Sequence, residues 1–182
     1  NRMSDFNPSM ATKSEQIKAG QIKESDQTTH FSIVDEEGNA VSITTTLNDG
    51  YGCKVIVEGG GYLLNNEMDD FSAKPGEPNL YGLIGAEANK VEPGKRMLSS
   101  MTPTIVSKNG KLKAVVGTPG GSTIITSVFQ TLINIIDFDM NGFEAVAKPR
   151  FHHQWLPDLL YHERNCLDGQ VKIALTERGH IL

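Results

Sequence analysis

The sequence predicts an α+β protein in which antiparallel hairpins come first and helices follow. Three patterns support this prediction. Alternating apolar and polar residues fill two pairs of short segments in the first two thirds of the chain. Turn residues separate the members of each pair. The longest stretch with helical spacing comes later, over residues 122–136.

The two predicted hairpins are recognised by their strands and their turns. Residues 30–35 alternate, Glu36-Glu37-Gly38-Asn39 can turn, and residues 40–47 are rich in Val, Ile and Thr. In the second hairpin, residues 104–106 and 112–116 flank Asn109-Gly110, a dipeptide typical of tight β-turns.

The stretch between the two hairpins predicts mostly loops. Glycines at both ends leave room for a short strand over residues 54–57. Residues 74–91 contain several Pro and Gly without a period, which predicts a long surface loop. Loops of that length in compact domains are often functional.

The second half of the chain predicts helices. Ser122 is a suitable N-cap, and the apolar residues of 124–136 predict a helix buried on much of its circumference. A second helix is predicted over residues 143–147, ended by Pro149. Residues 171–180 are compatible with a strand or a helix.

Composition restricts the class of protein. The chain has 182 residues, 38% of them hydrophobic and 21% charged, which suits one packed domain. The net charge of −5 and the scattered basic residues argue against a nucleic-acid partner. No apolar run approaches the ~18 residues of a membrane helix, and no signal peptide is visible. Residues 1–27 are polar, which predicts a solvated tail.

Two features could take part in acyl transfer, and each has a simpler structural explanation. Thr28 begins the first strand; its hydroxyl is a poor nucleophile unless Thr28 becomes a chain terminus, where its own amine could accept the proton. Gly120-Gly121 precedes the long helix, and backbone N–H groups there could stabilise an oxyanion. The alternatives are a strand-start threonine and a tight turn.

Other polar clusters point less clearly to chemistry. Glu67, Asp69 and Asp70 could hold an ammonium group, or could simply form a polar loop. His152-His153 lacks a third ligand at zinc spacing, so polar packing is expected. The two cysteines are too few for a disulfide framework or a Cys-rich zinc site, although one disulfide is possible.

Seven segments, in order, resemble the γ-glutamyltranspeptidase family, whose members are N-terminal nucleophile hydrolases. Together they span about 130 residues: 28–32, 44–48, 63–71, 89 with 93–96, 98–106, 117–125 and 149–158. The resemblance implies an αββα sandwich, incomplete in this chain. It also implies autocatalytic cleavage of a zymogen between Gln27 and Thr28. Residues 1–27 would then be the flexible end of the large subunit, and 28–182 a small-subunit catalytic domain truncated at its C-terminus.

The resemblance also implies roles for individual residues. Thr28 would be the nucleophile for cleavage and catalysis, Thr46 would orient it, and Gly120 and Gly121 would form the oxyanion hole. The remaining matched positions would bind the glutamyl part of the substrate. The ammonium group would contact Asn48, Glu67 and Asp70, the carboxylate would contact Ser99 and Ser100, and a lid would carry Tyr81.

The function implied is γ-glutamyl transfer from glutathione and related compounds to water or to amino-acid and peptide acceptors. No metal or cofactor is expected, the large subunit of the same precursor is the expected partner, and the expected location is periplasmic or extracellular. This chain alone would be inactive. The alternatives are a related cephalosporin or glutaryl acylase and a non-catalytic homologue.

Overall fold

The computed structural model describes residues 9–10, 28–79, 84–155 and 158–182. The prediction for residues 1–27 therefore lies almost wholly outside the described residues, and the lid position Tyr81 does too. Within the described residues, helices and strands are mixed, as the sequence predicts. The strands of these described ranges form three two-stranded antiparallel sheets.

The first hairpin is confirmed. Strand β1 (Thr29–Val34) pairs with β2 (Ala40–Thr45), and Asp35 accepts backbone hydrogen bonds that close the turn between them. One face is apolar because alternate side chains point to the same side. Its four residues are 40% to 55% exposed: Phe31, Ile33, Val41 and Ile43.

The opposite face of this hairpin is polar and carries His30, Ser42 and Thr44. The imidazole of His30 bonds to Thr44 Oγ1 through Nδ1 at 2.8 Å and to Ser32 Oγ through Nε2 at 3.0 Å. The Ser42 hydroxyl donates to the carbonyl of Val116 at 3.3 Å. The polar face therefore packs toward the second hairpin.

The second hairpin is also confirmed. Strand β3 (Thr104–Lys108) pairs with β4 (Lys111–Val116) around the Asn109-Gly110 turn. Both turn residues have positive φ, 54° and 74°, which is the backbone that the Asn-Gly pair favours in tight hairpins. Strand β2 contacts both β3 and β4.

The long helix α1 (Thr123–Ile136) forms where the sequence predicts a helix, and its residues differ in how far they are buried. Only one face is buried, and it consists of Ile124, Val128, Thr131 and Ile135. Most of the other residues of α1 are half-buried, and the exposed ones lie along one stripe, Ile125, Phe129 and Ile136, so much of the circumference is at least half covered. Helix α2 (Gly142–Ala147) and strands β4 and β5 (Phe151–His152) all contact α1. Strand β5 is bonded to Thr126 and Gln130, which lie away from the buried face.

Among the described residues, four short elements follow α1. Helix α2 (Gly142–Ala147) begins at a capping box, in which Asn141 and Glu144 bond to each other's backbone N–H. Strands β5 (Phe151–His152) and β6 (Tyr161–His162) pair, and helix α3 (Gly169–Glu177) resolves the strand-or-helix alternative for this part of the chain.

Two smaller expectations differ from the structure. The strand predicted over 54–57 is wrong, because only a single bridge joins Ile56 to Leu63. Positive φ values at Tyr51, Gly52 and Lys54 keep that segment in turns. Cys53 and Cys166 are both free, so the possible disulfide is absent. None of the helices in the described ranges is long and apolar enough to cross a membrane.

Candidate active site

The start of β1 and the end of β4 meet closely. The imidazole of His30 lies directly on Gly117, in the space that a Cβ at that position would occupy. Thr28 is two residues before His30 and is buried, with 8% of its surface exposed. Since an extended residue advances about 3.3 Å, Thr28 lies within about 7 Å of His30 along the chain. The candidate nucleophile is therefore at the edge of the molecule where β4 ends.

The chain after β4 turns through the two glycines into α1. Gly120 has φ 135° and Gly121 has φ 57°, backbone conformations that suit glycine. Their carbonyls accept hydrogen bonds from the N–H groups of Thr123 and Ile124. Among the described residues, neither glycine donates its own N–H to a partner. Two donors thus remain unpaired next to a helix N-terminus, where negative charge is favoured.

Ser122 does not act as the predicted side-chain cap. It has helical backbone angles and makes no capping hydrogen bond. The turn already supplies acceptors for the first helical N–H groups, and the Thr123 hydroxyl donates to the Gly120 carbonyl at 2.7 Å. The Ser122 hydroxyl is buried without a described partner.

The loop after β2 brings Thr46 and Asn48 next to the acidic segment. Thr46 Oγ1 accepts the N–H of Asn48 at 2.9 Å, and Asn48 adopts a left-handed φ of 74°. The Asn48 side chain donates to the carbonyl of Asn66 at 3.3 Å. This places buried Asn48 beside Asn66, the residue that precedes Glu67. Within the described part of the chain, no hydrogen bond joins Thr46 to Thr28.

The acidic segment forms a 3₁₀ helix, Glu67–Asp70, with perturbed carboxyl groups. Burial, followed by the charges of Glu67 and Asp69, raises the pKa of Asp70 to about 6 from its ordinary value of 3.8. Burial also raises the pKa of Glu67. Carboxylates perturbed in this way favour a bound cation, because a positive charge relieves both burial and mutual repulsion.

A cavity of about 180 Å³ opens beside this segment and is called the Asp70 cavity below. It brings Asp70 together with Ser100, two residues that sequence analysis assigned to opposite ends of one ligand. Ser99 differs: it is exposed, lies outside this cavity, and its hydroxyl accepts the N–H of Met101 at 3.2 Å. The other lining residues used below are Asp69, Ser72, Gly85, Asn89 and Leu98.

A second cavity, of about 510 Å³, lies against the loop that leads to Gly120, and sequence analysis did not identify it. Arg150 donates to Glu163 through Nε and Nη2 at its wall, and Arg150 lowers the pKa of the Glu163 carboxyl. Buried His152 bonds to Thr126 and Gln154, which matches the expected polar packing. No sequence pattern predicts that these residues lie together, because strands β5 and β6, which position them, are only two residues long.

No cluster of three or more His, Cys, Asp or Glu side chains suited to a metal ion occurs among the described residues. The polar groups of the two cavities include hydroxyls, amides and carboxylates, with the Lys74 ammonium in the first and the Arg150 guanidinium and two imidazoles in the second. Such groups bind organic ions through hydrogen bonds and charge.

Comparison with known proteins identifies the relatives of this chain. The family model for gamma-glutamyltranspeptidase matches residues 1–182. A glutathione hydrolase proenzyme of Pseudomonas aeruginosa is 53% identical over 183 residues, covering all of this chain and 32% of that protein. The chain thus spans about a third of the length of the curated relatives that it matches.

Solved structures give the same result. The crystal structure of a Helicobacter pylori gamma-glutamyltranspeptidase mutant matches with a TM-score of 0.79 and 57% identity, over 84% of this chain and 82% of that one. The Bacillus anthracis transpeptidase enzyme CapD is more distant, at 26% identity and a TM-score of 0.60, over 84% of this chain and 75% of its own. This chain therefore belongs to the gamma-glutamyltranspeptidase family.

Proposed function

We propose that this chain carries the catalytic centre of an enzyme that transfers γ-glutamyl groups from glutathione and related compounds to water or to amino-acid and peptide acceptors. Residues 28–182 would form the catalytic unit, and the remainder of the same precursor would complete it. The single observation that carries the proposal is the contact of His30 with Gly117, which brings the Thr28 end of β1 to the glycine loop after β4.

In the proposed mechanism, Thr28 Oγ first attacks the carbonyl carbon of Gln27; the amide C–N bond breaks, the nitrogen takes up the hydroxyl proton, and Gln27 is left as an ester on Thr28 Oγ. Water then hydrolyses this ester, which releases the Gln27 carboxylate and separates the two chains. The freed amine of Thr28 has an ordinary pKa of about 7.7–8.0, so near neutral pH it can accept the proton of its own hydroxyl. Thr28 Oγ then attacks the γ-amide carbon. The backbone N–H groups of Gly120 and Gly121 stabilise the resulting oxyanion, and Thr46 orients the nucleophile.

Collapse of this intermediate breaks the amide C–N bond. The leaving amine takes up the proton, and a γ-glutamyl ester on Thr28 remains. Water or an acceptor amine then attacks the ester carbonyl, gives its proton to the Thr28 amine, and releases the product with Thr28 Oγ restored. Two acyl transfers with lower activation barriers thus replace one transfer with a high barrier.

The glutamyl headgroup would lie in the Asp70 cavity. Its ammonium group would contact Asn48, Glu67 and Asp70, where the raised pKa of Asp70 favours binding of a cation. Its carboxylate would accept hydrogen bonds from Ser99 and Ser100, with Ser99 turning inward from its exposed position. Tyr81 over this pocket stays a prediction, since it lies outside the described residues.

An αββα sandwich is the proposed complete architecture. The apolar face of the β1–β2 hairpin and the outer face of α1 are exposed here, including Phe31, Ile33 and Phe129. Exposed apolar faces of this kind usually mark a surface that another element covers. In the proposal, further segments of the precursor pack on them.

The test is substitution of Thr28 in the full-length precursor, with the adjacent Thr29 as a matched control. Thr28→Ala is expected to leave the precursor uncut by intact mass and without turnover of a γ-glutamyl anilide. Thr28→Ser is expected to cut and to turn over, because a primary hydroxyl can do the same chemistry. Thr29→Ala is expected to keep both the cleavage of the precursor and the turnover of the anilide. Cleavage and turnover that survive in Thr28→Ala would refute the assignment of the nucleophile.

A further inference from the structure

We propose that Asn89 is the positioning residue that fixes the spacing between the ammonium-binding and carboxylate-binding halves of the Asp70 cavity. The inference deepens the proposed function and rests on it. The two halves belong to separate segments, the 3₁₀ helix Glu67–Asp70 and the chain that leads to Ser100. Between them lies a second 3₁₀ helix, Glu87–Asn89, whose last residue contacts both.

The Asn89 side chain makes one hydrogen bond to each half. Its Nδ2 donates to the carbonyl oxygen of Asp70 at 2.7 Å. Its Oδ1 accepts the backbone N–H of Leu98 at 2.9 Å, two residues before Ser100. An amide is the side chain suited to this task, because it carries a donor and an acceptor on one rigid plane.

The backbone of Asn89 adds a third tie. Its carbonyl accepts the N–H of Ser72 at 2.9 Å, and Ser72 and Lys90 form a parallel bridge. Ser72 is buried and follows the acidic 3₁₀ helix by two residues. One residue therefore holds the wall with Asp70 and the wall with Ser100 in a fixed relation, and it lines the same cavity.

A donor that carries both an ammonium group and a carboxylate depends on this spacing. A γ-glutamyl anilide has both groups, whereas a glutaryl anilide has the carboxylate and lacks the ammonium group. Loss of the Asn89 ties is therefore expected to weaken the first donor more than the second. A purely structural role would lower activity toward both donors equally, through the amount of folded enzyme.

The experiment compares both anilides with the full-length precursor and its variants, after thermal melting and the extent of cleavage have been measured. Asn89→Ala is expected to raise KM for the γ-glutamyl anilide about tenfold, with kcat within about threefold. The ratio of kcat/KM for the two donors is expected to fall about tenfold. Asn89→Asp keeps the acceptor for Leu98 N–H, loses the donor to Asp70, and is expected to lower the ratio as well.

The matched control is Asn134→Ala, which removes a side-chain amide that donates to the distant Ala145 carbonyl at 3.3 Å. It is expected to leave the donor ratio unchanged. An unchanged ratio in both Asn89 variants would overturn the inference, and so would loss of folded or cleaved enzyme in both, because Asn89 would then serve the fold. Failure of the proposed function is distinguishable, since the unsubstituted protein would then fail to turn over the γ-glutamyl anilide.

Discussion

The pKa of Asp70 predicts a break in the pH profile of the enzyme. Burial and the charges of Glu67 and Asp69 raise that pKa to about 6. Under the proposed function, ammonium binding requires the ionised Asp70 carboxylate, so the fraction of enzyme competent to bind substrate falls as pH drops through 6. At pH 5 about one tenth of such a group is ionised, against about nine tenths for a carboxyl of ordinary pKa.

The Thr28 amine has to be neutral to act as a base, which adds a second ionisation at about 7.7–8.0. The logarithm of kcat/KM for a γ-glutamyl anilide should therefore rise with slope 2 below pH 6 and slope 1 between 6 and the amine pKa. The assay is kcat/KM from pH 4.5 to 9 on the cleaved enzyme, with each pH checked for reversible loss of activity.

Two substitutions separate the contribution of Asp70. Asp70→Asn should remove the lower break and reduce kcat/KM at neutral pH by about 10- to 160-fold, since a charged hydrogen bond contributes about 1.5–3 kcal/mol. Asp69→Asn should keep the break but move it to lower pH, because one of the raising charges is gone. It should stay above 3.8, since burial is the larger cause. A lower break that persists unchanged in Asp70→Asn would refute this reasoning.

Two further predictions concern stability, each measured by thermal unfolding of the full-length precursor. Gly117→Ala would drive a methyl group into the His30 ring and should cost about 1–3 kcal/mol, whereas Gly142→Ala, which meets nothing within 4 Å, should not destabilise. In a double-mutant cycle, Arg150 and Glu163 should couple by at most about 1 kcal/mol, because their side chains are 33% and 48% exposed. Since Arg150 lowers the pKa of Glu163, the coupling between them should disappear as pH falls below that lowered pKa. A coupling energy that is unchanged at low pH would contradict this prediction. Equal melting temperatures of the two glycine variants would contradict the first.

The regular elements were predictable because local patterns determine them. Strand alternation and the Asn109-Gly110 turn identify the β3–β4 hairpin without tertiary information. The helical spacing of residues 124–136 gives α1 its position. Which of its residues are fully buried could not be predicted from the helix alone. That depends on which other segments of the chain pack against each face of the helix.

The candidate site was predictable only in part, for the same reason. Motif resemblance indicated Asp70 and Ser100, and the structure brings both into one cavity. Asn89 belonged to a matching segment without an assigned role, because a residue that joins two loops has no period or spacing to reveal it. The pair of Arg150 with Glu163 was likewise hidden, since the two are 13 positions apart and are brought together by strands of only two residues each.

Asp70 has no ion-pair partner among the described residues, although Lys74 lines the same cavity. The nearby lysines pair elsewhere: Lys74 with Glu77, Lys90 with Glu87 and Glu92, and Lys95 with Glu92. Within the described ranges, no Lys or Arg forms an ion pair with Asp70.

A carboxyl that is buried beside like charges is stabilised in its protonated form until a positive group arrives. Binding of a substrate ammonium group should then lower the pKa of Asp70, and below pH 6 it should release a proton from the site. A cluster held only for structure would gain stability from a neighbouring lysine. Among the described residues no Lys or Arg pairs with Asp70, which favours a ligand that supplies the charge.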